Sequence, residues 1–370
     1  MRGGASPAAD LARLRDIVEL FPQQTILVLG DFVADQFVFG EISRVSREAP
    51  VLILRHRETR CLPGGGANAA NNLADLGAHV YPVGAIGDDE SGSKLHEYFC
   101  GKGMDVAGLI RVRGWTTPTK TRFLAGWTHT ARQQVLRMDR EPETELPAQT
   151  VRALVRAARG RLAEASAMVI SDYGYGSATP EIAAKIRGRG HWAAPVALDS
   201  RYRLHEYAGL ELVAATPNEA ELEAAHHARI GDAEQLERLA QRTMARLGVT
   251  ALVVTRGRDG MMVFERGHAA CALSVFGSDQ AVDVTGAGDT VIAAFTLALG
   301  AGATVLEAAQ IANYAGGIVV MKRGTATVTH AELLGAINAE ATGGSGTGAV
   351  SADAGRDSGK ELRERRARGN

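Results

Sequence analysis

Short apolar runs alternate with amphipathic segments along most of this chain. The first run, residues 25–30, has the length of a buried strand and delivers Asp31 to the loop that follows. In residues 11–21 the apolar positions recur three and four apart with charged residues between them, which predicts a helix. This interruption by charge is not typical of a signal peptide. The N-terminal region is therefore predicted to be an amphipathic helix followed by a buried strand.

The alternation becomes regular after residue 147. Predicted helices cover residues 151–164, 180–189 and 233–247, and predicted strands cover residues 167–171, 195–198, 212–215 and 251–255. This rhythm predicts an α/β protein with a doubly wound, mostly parallel sheet. Ligands of such sheets bind outside the carboxyl ends of the strands. Asp172, Asn218 and Gly257 follow three of these strands and are therefore candidate site residues.

Two further segments predict a smaller sheet. Residues 37–62 and 119–138 mix polar and apolar side chains, a pattern that suits strands exposed on at least one face. Residues 1–340 are predicted to form one folded domain. Residues 341–370 are rich in Gly, Ser and Ala and then charged, with almost no apolar content, which predicts a disordered tail.

Composition and charge exclude several classes of protein. The 370 residues include 41 basic and 42 acidic side chains, for a net charge of -1, so neither nucleic acid nor a membrane is expected as a partner. No apolar run approaches the ~18 residues of a membrane span. The three cysteines are far apart and form no C-x-x-C pair, which argues against a disulfide framework or a zinc site. We expect a soluble, cytoplasmic protein.

The most specific segment is residues 283–290, with the sequence DVTGAGDT, which precede an apolar helical run. Gly286, Ala287 and Gly288 are small enough to let a ligand approach the backbone, and the free N–H groups of a helix start bind anions. Asp289 would then lie in the first helical turn, beside the anion. Phosphoryl transfer needs donors for the moving phosphoryl group and a carboxylate that deprotonates the attacking hydroxyl. The alternative is an ordinary helix start whose aspartate interacts favourably with the helix dipole.

This segment resembles the C-terminal signature of the PfkB/ribokinase family of carbohydrate kinases. Residues 63–77, PGGGANAANNLADLG, resemble the N-terminal signature of the same family. The resemblance implies a ribokinase-like α/β fold with a small β lid, and transfer of a phosphoryl group from ATP to a sugar hydroxyl. It also implies that Asp289 is the catalytic base and that residues 286–288 form the anion hole.

The resemblance assigns a sugar site as well. The sugar-binding residues that it implies are Asp31, Asp35, Gly65, Gly66 and Asn68. These residue types suit the task, because a carboxylate can accept two sugar hydroxyls and an asparagine amide both donates and accepts. For the glycine-rich segment, a plain loop and helix cap is the alternative.

A nucleotide and metal site is implied by further segments. Residues 216–221 resemble the family's N-x-x-E motif, which implies that Asn218 and Glu221 position Mg²⁺ through water. Taken alone, the same two residues predict a capping box at a helix start, and both roles can hold. The other implied nucleotide contacts are Thr255, Gly257, Gly260, Thr285, Asn313 and Gly316. Asp283 is a candidate for a monovalent cation, K⁺, beside the anion hole.

A longer match, over roughly residues 20–340, resembles the kinase domain of bacterial heptose-7-phosphate kinases. It implies phosphorylation of the anomeric hydroxyl of D-glycero-β-D-manno-heptose 7-phosphate to the 1,7-bisphosphate, on the way to ADP-heptose and lipopolysaccharide. A sugar phosphate requires cations, and arginine can hold phosphate with two parallel hydrogen bonds. The substrate contacts predicted in the matching segments are Arg44, Lys120, Arg122, Arg137 and Asp172.

Departures from the pattern leave the sugar open. Ser200 and Arg201 stand where the family has Pro-Lys, residues 125–132 look like an insertion near the lid, and the H-x-G-H motif of bifunctional members has no counterpart. Alternatives are another kinase of this fold, acting on fructose 1-phosphate, tagatose 6-phosphate, ribose or a nucleoside, or a non-catalytic sugar or nucleotide sensor. The resemblance further implies a homodimer that pairs through the lid.

Overall fold

The alternating sequence pattern gives alternating helices and strands. The computed structural model describes residues 10–127, 132–192, 194–277, 281–322 and 324–342. The helices in these ranges are α1 Leu11–Glu19, α2 Gly66–Asp75, α3 Glu90–Gly101, α4 Ala148–Arg161, α5 Pro180–Arg187, α6 Glu219–His226, α7 Ala233–Leu247, α8 Ala287–Gly300, α9 Val305–Val319 and α10 His330–Ala341. The strands are β1 Thr25–Gly30, β2 Phe32–Val45, β3 Leu52–Gly65, β4 His79–Gly87, β5 Leu109–Val112, β6 Thr119–Gly126, β7 Gln133–Arg140, β8 Ala167–Asp172, β9 Val196–Ser200, β10 Ala214–Ala215, β11 Ala251–Thr255, β12 Met261–Glu265 and β13 Cys271–Leu273.

Nine of the described strands form one large sheet, in the order β13-β12-β11-β10-β9-β8-β1-β4-β5. β1 pairs in parallel with both β8 and β4, so the chain progresses in opposite directions on its two sides. Of the pairs in this sheet, those of β12 with β11 and β13 are antiparallel. The predicted doubly wound, mostly parallel sheet is therefore confirmed. Its topological switch point lies at β1 and β8, where ligands of such sheets bind.

The side chains of β1 show how the large sheet is covered on both faces. Ile26 and Val28 belong to one buried core, whereas Leu27 and Leu29 belong to the other. This follows from the two-residue period of a strand, and it explains why the segment is an uninterrupted apolar run. Each fully buried aliphatic side chain of this kind stabilises the fold by about 1.5–3 kcal/mol. Within the described ranges, no helix has the length and apolar content of a bilayer span.

The other four strands form a separate sheet, here called the lid sheet, in the order β3-β2-β6-β7. β2 and β3 are an antiparallel pair whose register runs from Phe32 opposite Gly65 to Val45 opposite Leu52. β2 also pairs in parallel with β6, which sets Asp35 beside Lys120. β2 begins before the predicted residue 37, β3 ends after residue 62 and β7 ends after residue 138, whereas β6 begins at residue 119 as predicted. The first difference arises because only Asp31 separates β2 from the central strand β1. Of the predicted tail, residues 341–370, Ala341 ends α10 and Thr342 is its C-cap, so the domain continues slightly beyond the predicted boundary. Residues 343–370 lie outside the described ranges, as does part of the apparent insertion.

Candidate active site

The start of helix α8 combines an anion site with a buried acid. Gly286 has φ of 80°, and a Cβ there would lie 2.6 Å from Asn68 Nδ2, so the position requires glycine. Among the described residues, the N–H groups of Gly286 and Gly288 have no acceptor, whereas that of Ala287 donates to Val284 O at 3.3 Å. A Cβ on Gly288 would meet nothing within 4 Å. Two of the three predicted amides are thus available, and the space beside them is open to a ligand.

Asp289 lies in the first turn of α8 and is only 4% exposed. Both of its carboxylate oxygens accept a hydrogen bond, Oδ2 from Asn68 Nδ2 at 2.9 Å and Oδ1 from the Tyr173 hydroxyl at 2.7 Å. Burial raises the pKa of Asp289 to about 6, although both hydrogen bonds act to lower it. A carboxylate with this pKa is ionised at neutral pH yet basic enough to accept a proton from a substrate hydroxyl.

The side chain of Asn68 is engaged in hydrogen bonds within the protein and holds Asp289 in place. It is fully buried on α2, and Asn72 donates to its side-chain oxygen at 3.2 Å. Thr290, the next residue after the acid, donates in turn to Asn72 Oδ1 at 3.0 Å. The side chain predicted to bind sugar is therefore part of a network that joins α2 to α8 and fixes Asp289.

Asp31 has a role that differs from the predicted one. Its carboxylate accepts backbone N–H groups from the loop after β8, Tyr173 and Tyr175 at 2.9 Å each and Ser177 at 2.7 Å. Ala178 N adds a longer contact of 3.3 Å. The aspartate is 1% exposed, so these oxygens hold a loop and are not presented to a sugar.

Asp172 is also engaged within the protein. It accepts from Arg203 Nε at 3.1 Å and from the hydroxyls of Ser200 and Tyr207 at 3.0 Å each. At 1% exposure this is a buried, fully paired carboxylate. The predicted substrate contact is therefore replaced by a structural role, because a strand-end aspartate looks the same in the sequence whichever donors surround it.

Asp35 lies beside two basic side chains of the lid sheet, Arg122 and Lys120. Its Oδ1 accepts from Arg122 at 2.8 Å, and its Oδ2 accepts from Thr325 at 3.4 Å. Lys120, beside it in register, is 9% exposed and has its Nζ 5.3 Å from the ring centre of Tyr173. Lys120 has no hydrogen-bond or ion-pair partner among the described residues. A buried ammonium group without a counter-ion is unfavourable, so burial lowers the pKa of Lys120, and the group is a candidate for contact with an anion.

The remaining two predicted cations differ in position. Arg137 lies opposite Arg122 in the lid sheet, but its guanidinium group already makes two hydrogen bonds with Asp139, at 2.8 and 2.6 Å. Arg44 is exposed and lies nine residues beyond Asp35 on β2, about 30 Å along the strand. The structure thus does not bring Arg44 to the site. The sequence could not show this separation, because spacing along a long hairpin does not reveal which end of the hairpin meets the large sheet.

Asn218 and Glu221 form the capping box of α6, which confirms the alternative interpretation of this pair. Asn218 Oδ1 accepts from the Glu221 N–H and Glu221 Oε2 accepts from the Asn218 N–H, each at 2.9 Å. Thr255 lies beside them, since its N–H donates to Pro217 O at 3.0 Å. Glu221 Oε1 has no hydrogen bond with the described residues, so one oxygen stays available for a second role.

The residues around Glu221 suit a hydrated magnesium ion. Burial, followed by the charges of Glu221 and Asp289, raises the pKa of Asp199 well above its ordinary value. Burial also raises the pKa of Glu221. A cation near these two carboxylates would relieve their repulsion. No group of three or more potential metal ligands forms a ready-made cage in the described ranges, and Mg²⁺ characteristically keeps several waters and uses few protein ligands.

Asp283 and Thr285 form a local turn before the anion site. The Asp283 carboxylate accepts backbone N–H groups from Thr285 at 2.9 Å and Gly324 at 3.0 Å. Burial acts to raise the pKa of Asp283, but the hydrogen bonds from Thr285 and Gly324 outweigh it, and the pKa is lowered. Both oxygens therefore fix the loop, and no feature of Asp283 distinguishes a K⁺ ligand from a structural residue.

The other predicted nucleotide contacts border one side of the sheet. Gly257 and Gly260 flank the turn between β11 and β12, next to Thr255. Asn313 Nδ2 donates to Ser274 O at 2.7 Å and ties α9 to the segment after β13. Gly316 packs against Val291 of α8 and lets the two helices approach. Of these residues, Gly316 has a contact to helix α8, which carries the anion site.

Sequence reasoning did not select Tyr173, whose hydroxyl contacts Asp289. A tyrosine after a buried strand carries no signal of its own, since buried tyrosines mostly pack in cores. The usable clue is its position after β8, at the switch point of the sheet, but the strand order is not visible in the sequence.

A doubly wound fold with an anion-binding helix start, a buried acid and a cationic lid defines a small-molecule kinase. Residues 23–332 match the family model described as pfkB family carbohydrate kinase. The chain therefore belongs to the pfkB family of carbohydrate kinases, as the two signatures predicted.

Relatives and solved structures agree with this family. The chain is 40% identical over 331 residues to the bifunctional protein HldE of Mesorhizobium japonicum, which covers 88% of this chain and 64% of that protein. It is 36% identical over 313 residues to HldE of Geobacter sulfurreducens, a match that covers 84% of this chain and 62% of that protein. The chain thus spans less than two thirds of the length of these relatives.

The fold is shared with ribokinase-like structures. Arabidopsis thaliana ribokinase, solved with ribose and ATP, superposes with a TM-score of 0.67 at 22% identity, covering 85% of this chain and 98% of that one. Phosphofructokinase-2 from Escherichia coli, solved with potassium, gives a TM-score of 0.68 at 17% identity and the same coverage. These similarities confirm the predicted ribokinase-like fold.

Proposed function

We propose that this chain transfers the γ-phosphoryl group of ATP to the anomeric hydroxyl of D-glycero-β-D-manno-heptose 7-phosphate. The observation that carries the reaction type is the buried Asp289 beside the amides of Gly286 and Gly288, which have no acceptor in the part of the chain that the structure describes. The choice of sugar rests on the resemblance over roughly residues 20–340, and the relatives named HldE support it. Cytoplasmic location is part of the same proposal.

In this reaction Asp289 accepts the proton of the sugar hydroxyl while that oxygen forms its bond to phosphorus and the bond to the ADP oxygen breaks. The N–H groups of Gly286 and Gly288 stabilise negative charge on the moving phosphoryl group. General base catalysis contributes about 10²–10⁴-fold, so positioning and electrostatics supply the larger share.

The phosphate already present on the sugar is assigned to the cations of the lid sheet. Lys120 is buried and has no hydrogen bond or ion pair among the described residues, and Arg122 and Arg137 lie on the paired strands β6 and β7. Asp35 then accepts sugar hydroxyls, because its hydrogen bond from Thr325 is long and exchangeable. A neutral sugar would offer no anion to the Lys120 ammonium group, whose contact with the Tyr173 ring is not an ion pair, and this favours a sugar phosphate as substrate.

Magnesium is assigned to the region of Asn218, Glu221 and Asp199, with water completing its coordination. When bound, Mg²⁺ neutralises charge on the nucleotide phosphates. The protein's own contribution there is the unused Oε1 of Glu221, held by the α6 capping box.

The lid sheet supports the proposal of a homodimer. Every residue of β7, an edge strand, is exposed. The large apolar side chains exposed on this sheet and its hairpin turn include Val45, Val51, Leu52, Val135, Leu136 and Met138. An exposed apolar edge strand is an aggregation hazard unless it is paired, so a second copy of this sheet is the proposed cover.

The test is an assay of ADP release by the purified protein with Mg-ATP. The panel contains the heptose 7-phosphate, fructose 1-phosphate, tagatose 6-phosphate, ribose and adenosine. Turnover with the heptose phosphate that is lost in Asp289→Asn, and retained in the exposed control Asp16→Asn, supports the proposal. Turnover with a different sugar alone would refute the heptose assignment, and no turnover with any of them would refute the catalytic one.

A further inference from the structure

The backbone of the loop that carries Tyr173 is held in one conformation by hydrogen bonds to Asp31. It follows β8 at the switch point of the large sheet, where β8 pairs with β1. The Asp31 carboxylate binds the backbone N–H groups of Tyr173, Tyr175 and Ser177 within 2.7–2.9 Å. Since Asp31 is itself buried at the end of β1, the loop is anchored to the centre of the sheet.

The ring of Tyr173 is fixed from two sides. A Cβ at Gly65 would lie 3.2 Å from the ring carbon Cδ2, so the glycine leaves just enough room for the ring. On the ring face, Lys120 Nζ lies 5.3 Å from the ring centre, within the range of a cation–π contact. With the ring held in this way, its hydroxyl lies 2.7 Å from Asp289 Oδ1.

The phenol remains a hydrogen-bond donor under all relevant conditions. Burial, followed by the charge of Asp289, raises the pKa of Tyr173 well above its ordinary value. It therefore stays protonated and cannot itself act as a base near neutral pH. A neutral donor on Oδ1 leaves further lone pairs of the carboxylate for the substrate hydroxyl.

We infer that Tyr173 is a positioning residue for phosphoryl transfer, whose phenol fixes the orientation of Asp289 and tunes how readily that carboxylate takes up a proton. The chain of contacts runs from Asp31 through the loop backbone and the Tyr173 ring to the acid. This inference rests on the proposed kinase reaction and deepens it. It also gives Asp31, which does not reach the substrate, a connection to catalysis.

Three other charged side chains interact electrostatically with Asp289. Asp35 on β2 raises its pKa and Lys120 on β6 lowers it. Asp199 on β9 interacts with it electrostatically as well. None of these three makes a hydrogen bond to Asp289, and all three remain in a variant that lacks only the Tyr173 hydroxyl.

The experiment is a pH profile of Tyr173→Phe, which keeps the ring and removes the donor. Loss of a hydrogen bond to a carboxylate raises the pKa of that carboxylate, so the acidic limb of kcat/KM should move up by about one pH unit. The KM for ATP should change by less than about twofold, because the variant keeps the nucleotide side intact. An acidic limb at the wild-type position overturns the inference.

Tyr175→Phe is the matched control. It lies in the same loop and loses a hydroxyl that donates to Glu141 at 3.0 Å and not to Asp289. Its profile should equal that of the wild type. A fluorinated tyrosine at position 173, whose phenol is more acidic, provides a variant of opposite sign and should move the limb to lower pH.

A carboxyl-carbon NMR titration of Asp289, assigned with Asp289→Asn, separates this inference from the proposed function. If no sugar is turned over, the proposed function fails, but the titration still reports whether Tyr173→Phe raises the pKa of Asp289. An unchanged titration in a folded variant overturns the role of Tyr173 whatever the substrate is.

Discussion

Asn68 on α2 donates a 2.9 Å hydrogen bond to Asp289 on α8, across 221 residues of sequence. The two family signatures thus meet at one carboxylate. Asn68→Asp nearly preserves shape but replaces the donor with a second acid, and two adjacent carboxylates resist joint ionisation. We expect kcat at neutral pH to fall by about 100-fold or more, with the acidic limb displaced upward. The control is Asn338→Asp at an exposed position of α10, and equal activity of the two variants would contradict the contact.

Asp289→Asn removes the proposed base while keeping its size. We expect kcat to fall by about 10²–10⁴-fold with a modest change in KM, because the missing interaction belongs to the transition state. Steady-state kinetics with the preferred sugar measure this directly. Wild-type turnover in this variant would rule out Asp289 as the base.

The activity of the wild-type protein should depend on pH through Asp289. Burial raises its pKa to about 6, and only the ionised form accepts a proton. Activity is therefore present above that value and lost as the pH falls through it, by about tenfold per pH unit on the acidic limb. The measurement is kcat/KM against pH, with circular dichroism over the same range to exclude unfolding. An acidic limb in the ordinary aspartate range would contradict the assignment.

Lys120→Met tests the anion site under the lid, since methionine keeps the apolar stem and removes the charge. We expect KM for the sugar phosphate to rise about 10–100-fold, the range of one charge-assisted contact, with little change for ATP. Arg44→Met is the control, because Arg44 is exposed and lies about 30 Å away along β2. Equal effects of the two variants would show that the phosphate binds elsewhere.

The lid sheet should carry the dimer contact. Leu136 and Met138 are 57% and 48% exposed on β7. Replacing both with glutamate should convert a dimer into a monomer, whereas Met321→Glu, at an exposed position outside the lid sheet, should not. Light scattering coupled to gel filtration measures the mass. A monomeric wild-type protein at assay concentration would disprove the proposal.

Local patterns in the sequence determined the fold class and most elements. The predicted strand 25–30 and helix 233–247 have the same bounds in the structure. The reason is that the spacing of apolar residues and the capping residues, which set these bounds, depend on only a few neighbouring positions. The glycine-rich helix start located Asp289 for the same reason. The capping box of Asn218 and Glu221 was equally visible, since its partners are three residues apart.

Tertiary structure alone decided which polar residues face a ligand. Three aspartates follow apolar or glycine-rich segments of the sequence. The carboxylates of Asp31 and Asp172 are fully hydrogen-bonded within the protein, whereas Asp289 lies next to Gly288, which borders open space. Tyr173 reaches Asp289 across 116 residues, a contact that no local pattern encodes. The physical reason is that the role of a carboxylate depends on the donors around it, and here those donors come from strands and loops distant in the chain.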